Sequence, residues 1–444
     1  MAEGISSREL ALDILLEILE KGSYSHLVLR QALGKYQYLE KQERAFVSRI
    51  VEGTIEYLIP IDAILTSSSK VAVNKMKPVI RTILRMSVYQ ITYMDRVPDS
   101  AVCNEAVKLT QKRKFQGLKG YVNGVLRTIV RQKDTFVFTD WERRYSMPDW
   151  LIEFWKESYS SDVVEGMLRF FLSERPLSVR CNTDQASKEE ILKSLAEQAV
   201  TVTVSELSDN VLYLADYDYP ESLAAFCRGW IQIQDVSSSL VGDVADPAAG
   251  AYILDVCGAP GGKSLHLADK LNGSGMIEVR DLTEKKVALI EENIARTGFR
   301  NIRTKVWDAC VLDESMIGQA DIVIADLPCS GLGIIGKKPD IKYRVTRESM
   351  DSLVILQREI LSVVWQYVKP GGKLIYSTCT VNPAENEGQV KWLTEHFPLK
   401  SVSIEDKLGE NLSAETLKDG FIQLVPGIHP CDGFFIAAFE RKNI

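Results

Sequence analysis

No stretch of the 444-residue chain approaches the roughly 20 apolar residues that a membrane span needs. The N-terminus also lacks an apolar signal region, so a cytoplasmic protein is expected. None of the eight cysteines (Cys103, Cys181, Cys227, Cys257, Cys310, Cys329, Cys379, Cys431) forms a C-x-x-C pair, and their spacing is wide. This argues against a zinc site or a disulfide framework and for reduced thiols. The four histidines, His26, His266, His396 and His429, show no ligand spacing, and no metal is expected. Internal repeats and low-complexity tracts are lacking too. A phosphate loop is also missing: counting back from Gly262-Lys263-Ser264, its first glycine falls on Cys257, which excludes a P-loop nucleotide triphosphatase. Nor does the chain supply a G-x-G-x-x-G dinucleotide fingerprint there.

What is present is ordinary in bulk, 45% hydrophobic and 25% charged, in a length that suits two or three domains. The net charge of −7 by itself argues against nucleic acid, but it is unevenly spread. Residues 1–140 hold 21 Lys and Arg against 15 Asp and Glu, a net of +6, and the remainder hold 32 against 45, a net of −13. A basic module is joined to an acidic one. Its positive charge concentrates in Lys108, Lys112, Arg113, Lys114, Lys119, Arg127, Arg131 and Lys133, with no acid among them. A solvated helix face is the bland reading. A run this uniform favours contact with a nucleic-acid backbone.

Periodicity predicts an all-helical region over about 1–138, opened by a capping box at Ser6-Ser-Arg-Glu9, with Pro78 in a first turn. A helical linker and a small α+β module are expected over 139–235, where no chemistry is evident. From 236 to 444 strands and helices alternate, which predicts a doubly wound, mainly parallel sheet. The strand Ile322–Ala325 runs into Asp326-Leu-Pro-Cys329, and a second strand, Lys373–Ser377, runs towards Cys379. In open α/β sheets the ligand crevice lies beyond the carboxyl ends of the strands. A third strand enters the glycine-rich turn Cys257-Gly-Ala-Pro-Gly-Gly-Lys263. Asp281 and Asp308 follow the next two strands. Singly, each acid is a helix cap; together they favour a nucleoside ligand without pyrophosphate, such as S-adenosylmethionine. Asp281 would meet the ribose and Asp308 the adenine. Lys337, Lys338, Lys342, Arg344 and Arg347 follow Gly333, beside the expected pocket, and predict phosphate contact.

Three motifs carry a resemblance. Asp255–Ser264 resembles the D-x-C-A-A-P-G-G-K-T motif of RNA cytosine-C5 methyltransferases, with Gly258 in place of the first alanine. Asp326-Leu-Pro-Cys-Ser-Gly331 resembles their D-x-P-C-S-G motif, and Ser377-Thr-Cys-Thr380 their S-T-C-T/S motif. Glu278-Val-Arg280 departs from the small or apolar residues more usual before Asp281. The helical region, with Val97–Ala101 and Val122–Leu126, resembles the antitermination factor NusB. A NusB-like domain fused to such a catalytic domain is the layout of the Sun/RsmB proteins, which methylate 16S ribosomal RNA.

The resemblance implies a class I, Rossmann-like methyltransferase domain. S-adenosylmethionine would be held by Cys257, Gly258, Ala259, Pro260, Gly261, Gly262, Lys263, Asp281, Asp308 and Asp326. It further implies Cys379 as nucleophile, Cys329 assisting product release, and Asp326 at cytosine N3. The chemistry calls for such groups. C5 of cytosine is a poor nucleophile, and a thiolate adding to C6 moves electron density onto it. The residues alone leave the reverse assignment of the two thiols open. They also leave open a transfer RNA enzyme and a non-catalytic RNA-binding or antitermination factor. The expected partner is small-subunit ribosomal RNA, bound by a monomer through Lys108, Lys112, Arg113, Lys114, Lys119, Arg127, Lys337, Lys338 and Arg344.

Overall fold

The computed structural model describes residues 5–36, 38–174, 176–408 and 412–443. Packing divides the chain into two units, Met1–Leu172 with Ile335–Arg344, and Ser173–Ile334 with Val345–Ile444.

The first unit is helical. Its main helices are Ser7–Leu19, Ser25–Lys35, Lys41–Glu56, Leu58–Ser68, Pro78–Tyr93, Asp99–Lys112 and Lys119–Gln132. Their apolar stripes meet in one core that includes Leu12, Leu15, Ile50, Ile83 and Leu126. Only half of the expected capping box forms. Ser6 Oγ accepts from Glu9 N at 3.3 Å. The Glu9 carboxylate turns instead to Lys112, at 2.6 Å, and Arg113, at 3.5 Å.

The segment Ile335–Arg344 belongs to this unit through specific bonds. Ser25 Oγ donates to Asp340 Oδ1 at 2.5 Å, Lys342 Nζ to the Glu56 carbonyl at 2.8 Å, and Arg344 Nη1 to the Gly22 carbonyl at 2.8 Å. Arg344 also lies over the Tyr24 ring. Burial lowers the Lys342 ammonium to about 7. Lys342 and Arg344 therefore anchor the segment rather than reach outward, unlike the phosphate-contact expectation. A long amphipathic side chain buries readily when its head finds a backbone acceptor.

The second unit holds two sheets. The smaller is antiparallel, in the order β2-β3-β1-β4, from β1 (Leu177–Cys181), β2 (Thr201–Val204), β3 (Val211–Ala215) and β4 (Ile231–Ile233). The larger contains β5 (Tyr252–Asp255), β6 (Met276–Asp281), β7 (Ile302–Val306), β8 (Ala320–Asp326), β9 (Val368–Thr378), β10 (Leu399–Ser401), β11 (Phe421–Leu424) and β12 (Phe434–Arg441). Its order is β10-β12-β9-β8-β5-β6-β7, with β11 also paired to β12. The strands from β9 to β7 in that order run parallel. β12 joins β9, β10 and β11 antiparallel, making the sheet mixed.

β8 sits near the centre because Ile322, Val323, Ile324 and Ala325 are buried, as a strand covered on both faces requires. The winding reverses between β5 and β8, which pair through Ile253↔Ile322. Asp255 and Asp326 thus end neighbouring strands at a topological switch point.

Candidate active site

The turn after β5 is shaped by close approach. Gly258 N donates to the Arg280 carbonyl at 2.9 Å. A Cβ on Gly258 would lie 2.3 Å from Val279 Cγ1 and 2.9 Å from Asp255 Oδ2, so no side chain fits there without movement. Gly261, at φ +105°, caps the helix Gly262–Leu271 in the left-handed region. Asp255 is fully buried, and its Oδ2 accepts from Ser264 Oγ at 2.5 Å. Burial pushes its carboxyl up to about 7.

At the end of β6, buried Asp281 accepts from Ala259 N at 3.1 Å and Leu282 N at 2.7 Å. Glu278 and Arg280 lie on the opposite face by the two-residue period of a strand. There Arg280 pairs with Glu278 and with Asp313, at 2.8 Å, in a buried cluster. The unusual charges before Asp281 are thus absorbed on the other side of the sheet. Asp308 is exposed, and its Oδ1 accepts from Cys310 N at 2.9 Å, a local turn bond.

A cavity of about 160 Å³ opens at these strand ends. Of the residues expected to hold a cofactor, Cys257, Gly258, Ala259, Pro260, Gly262, Lys263 and Asp326 line it, whereas Gly261, Asp281 and Asp308 do not. Asp326 is held from two sides, by Lys263 Nζ at 2.6 Å and by Ser377 Oγ at 2.7 Å.

The register Asp326↔Ser377 brings the two cysteine loops abreast. Cys329 Sγ and Cys379 Sγ lie 3.3 Å apart, both partly buried and neither in a disulfide. The hydrogen bond to Cys379, then burial, then nearby negative charge including that of Glu385, raise the Cys329 thiol well above its ordinary value.

Beneath the thiols lies Glu385, fully buried. Ser330 N and Gln357 Nε2 donate to its Oε2 at 2.9 and 3.0 Å. Ser330 Oγ and Asn382 Nδ2 donate to its Oε1 at 2.5 and 2.9 Å. Ser330 Oγ also meets Thr380 Oγ1 at 2.7 Å. Each cysteine is thus followed by a residue tied into one buried polar network.

Residues 243–440 match the family described as 16S rRNA methyltransferase RsmB/F. Residues 5–131 match the NusB family, and 147–218 the RsmF/B-like ferredoxin-like domain. The probable ribosomal RNA small subunit methyltransferase B of Bacillus subtilis is 33% identical over 450 residues, covering 99% of both chains. The chain belongs to the RsmB/F methyltransferase family. The corresponding Synechocystis protein is 31% identical, covering 98% of this chain and all of that one. A solved structure titled PH0851 is 26% identical, with a TM-score of 0.83 over 98% of this chain and 99% of that one. The protein is an rRNA methyltransferase of the RsmB/F type, with a NusB-like domain, a ferredoxin-like middle domain and a Rossmann-like catalytic domain.

Two groups of residues at this candidate site escaped sequence reasoning. Gln232, Ile233, Gln234, Asp235 and Ser238 also line the cavity, although none of them was expected to hold a cofactor. The available signal was Gln-Ile-Gln-Asp at a strand end, with polar residues where a buried strand would stay apolar. Glu385 lay in Asn382-Pro-Ala-Glu-Asn386, which reads as a helix start.

The basic run is partly neutralised across the helical unit. Lys112 and Arg113 pair with Glu9, Arg113 also with Asp13 at 2.6 Å, and Lys108 with Glu105 at 2.7 Å. Lys114, Lys119 and Arg127 are exposed and have no carboxylate partner among the described residues. In the segment after Gly333, Lys337 is exposed and Lys338 half-buried.

Proposed function

We propose that the protein methylates C5 of a cytosine in 16S ribosomal RNA, using S-adenosylmethionine and a transient bond between Cys379 and C6. The observation that carries this reading is the 3.3 Å approach of the two thiols beside Asp326. The cofactor supplies a methyl group on sulfonium. The cavity suits it: a bare glycine turn leaves backbone exposed at the end of β5, with Asp326 across the switch point.

In the proposed cycle the Cys379 thiolate adds to C6, and the C5–C6 π electrons move to C5. Asp326, steadied by Lys263 and Ser377, faces N3, where charge develops. Once C5 carries the methyl group, a base takes the C5 proton, the C5–C6 double bond re-forms and the thiolate leaves. Cys329, 3.3 Å from Cys379, is suited to act at that release. The resemblance of Ser377-Thr-Cys-Thr380 to the S-T-C-T/S motif supports Cys379 as the nucleophile. Lys114, Lys119 and Arg127 are the residues of the helical unit suited to contact RNA phosphates. A cytosine inside a helix must be extruded before C6 can be reached.

The test is gel-resolved protein–RNA adducts with 16S RNA. Cys379→Ala should form none, and Cys329→Ala should accumulate them. Adducts on Cys379→Ala would reverse the assignment of the two thiols.

A further inference from the structure

Segment 335–344 folds with the helical unit, while the chain on both sides of it is fixed to the two cysteine loops. Upstream, Gly333 N donates to the Cys379 carbonyl at 3.1 Å, and the Gly333 carbonyl accepts from Gly433 N at 2.9 Å. A Cβ on Gly333 would lie 2.0 Å from the Gly433 carbonyl oxygen, so the two backbones touch there. Ile335, two residues on, already belongs to the helical unit. Downstream, Arg344 is followed two residues later by Thr346, the N-cap of helix Arg347–Val364. From that helix Gln357 Nε2 donates to the carbonyl of Pro328, the residue before Cys329, at 2.9 Å, and to Glu385 at 3.0 Å. Two residues of extended chain reach about 7 Å at most, so neither exit has slack.

Asp340 and Lys342 hold the segment at one place on the helical unit, and both are buried, 4% and 2% exposed. Ser25 donates to the Asp340 carboxylate from N at 3.3 Å and from Oγ at 2.5 Å, and Arg344 Nε lies 3.2 Å from it. Lys342 Nζ donates at 2.8 Å to the carbonyl of Glu56, the last residue of helix Lys41–Glu56. The negative end of the helix dipole favours a cation there. Arg344 also donates to the Gly22 and Ser23 carbonyls. A connector that merely joined two units would run over the surface and leave its charges in water. Burying charged groups adds little stability, because desolvation offsets their attraction; what it secures is a single register.

We infer that Asp340 and Lys342 are positioning residues for methyl transfer, which seat segment 335–344 on the helical unit and so hold the Gly333 and Gln357 anchors of the two cysteine loops. This rests on the thiol roles proposed above. The helical unit then acts on turnover and not only on RNA binding.

The test is methyl transfer by the full chain to 16S RNA, with kcat and the KM for RNA measured separately, beside calorimetric titration with S-adenosylmethionine. Asp340→Ala and Lys342→Met should each lower kcat about ten- to hundred-fold, because a displacement of about 1 Å at a reacting group costs roughly 100-fold. The KM for RNA and the S-adenosylmethionine affinity should stay within about threefold, the latter reporting an intact catalytic unit. Ser25→Ala, the mildest change and the one to rely on if the others fail to fold, should lower kcat as well. Combined with Asp340→Ala it should cost no more than Asp340→Ala alone, as for two partners in one bond. Unchanged kcat in these variants would overturn the inference. So would a rise in KM alone, additive losses in the double variant, or a parallel loss of S-adenosylmethionine affinity. If the unmodified chain methylated RNA without forming adducts, the thiol roles would fail, while the kcat result would still decide the positioning.

Discussion

Glu385→Gln is a near-isosteric change at the buried carboxylate beneath the thiols, and its cost can be worked out bond by bond. Oε2 receives Ser330 N–H and Gln357 Nε2, both obligate donors, so the glutamine oxygen must take this place. The new NH2 then replaces Oε1, facing Ser330 Oγ and Asn382 Nδ2. The serine hydroxyl can rotate to accept. Asn382 cannot flip cheaply, because its Oδ1 already accepts from Ala384 N at 3.1 Å. One buried donor is stranded opposite another, which costs about 1–3 kcal/mol. For a unit of this size that lowers Tm by roughly 2–10 °C. Activity should fall more than stability suggests. Ser330 and Thr380 follow the two thiols, and a displacement of about 1 Å at a reacting group costs roughly 100-fold in rate. The assays are thermal melting and methyl transfer to 16S RNA under saturating cofactor. If Glu385→Gln melted like the unmodified chain and kept its kcat, the network would not position the thiols.

Two further predictions follow from the turn after β5. Gly258→Ala should destabilise by about 1–3 kcal/mol in chemical denaturation, because its methyl group meets Val279 at 2.3 Å. Gly258→Ala with Val279→Ala should recover much of that loss, and additive costs would show that the two sites are not coupled. Asp255 should make the chain less stable as pH rises from 5 to 7. Burial raises its carboxyl to about 7, so the folded chain still holds a proton there that the unfolded chain has released. Linkage gives about 1.4 kcal/mol lost per pH unit over that window, and none further above it. A stability profile between pH 5.5 and 6.5 that Asp255→Asn leaves unchanged would contradict this account of Asp255.

Much of the protein was legible from one-dimensional pattern. The helical stripes, the strand–helix alternation and the three loop motifs depend on spacing along the chain, and spacing is what sequence records. Local chemistry also placed Asp326 and Cys329 at a strand end, because an apolar run halted by Pro328 has few other readings. Pairings between distant segments were less legible. Nothing in the basic run reveals that Glu9, about a hundred residues earlier, neutralises Lys112 and Arg113. Nothing in the lysines after Gly333 reveals that Lys342 buries its head on the Glu56 carbonyl.

The same division holds within the site. The sequence by itself determined which residues are the candidates for the chemistry: two cysteines, an aspartate and a glycine turn. Only the tertiary structure decided their support. The β8–β9 register set the two thiols at 3.3 Å, Glu385 tied their loops together, and Lys263 and Ser377 held Asp326 from two sides. The physical reason is that a motif is a property of neighbours along the chain. Orientation, burial and hydrogen-bond satisfaction are properties of neighbours in space, which the chain acquires only when strands remote in sequence are paired.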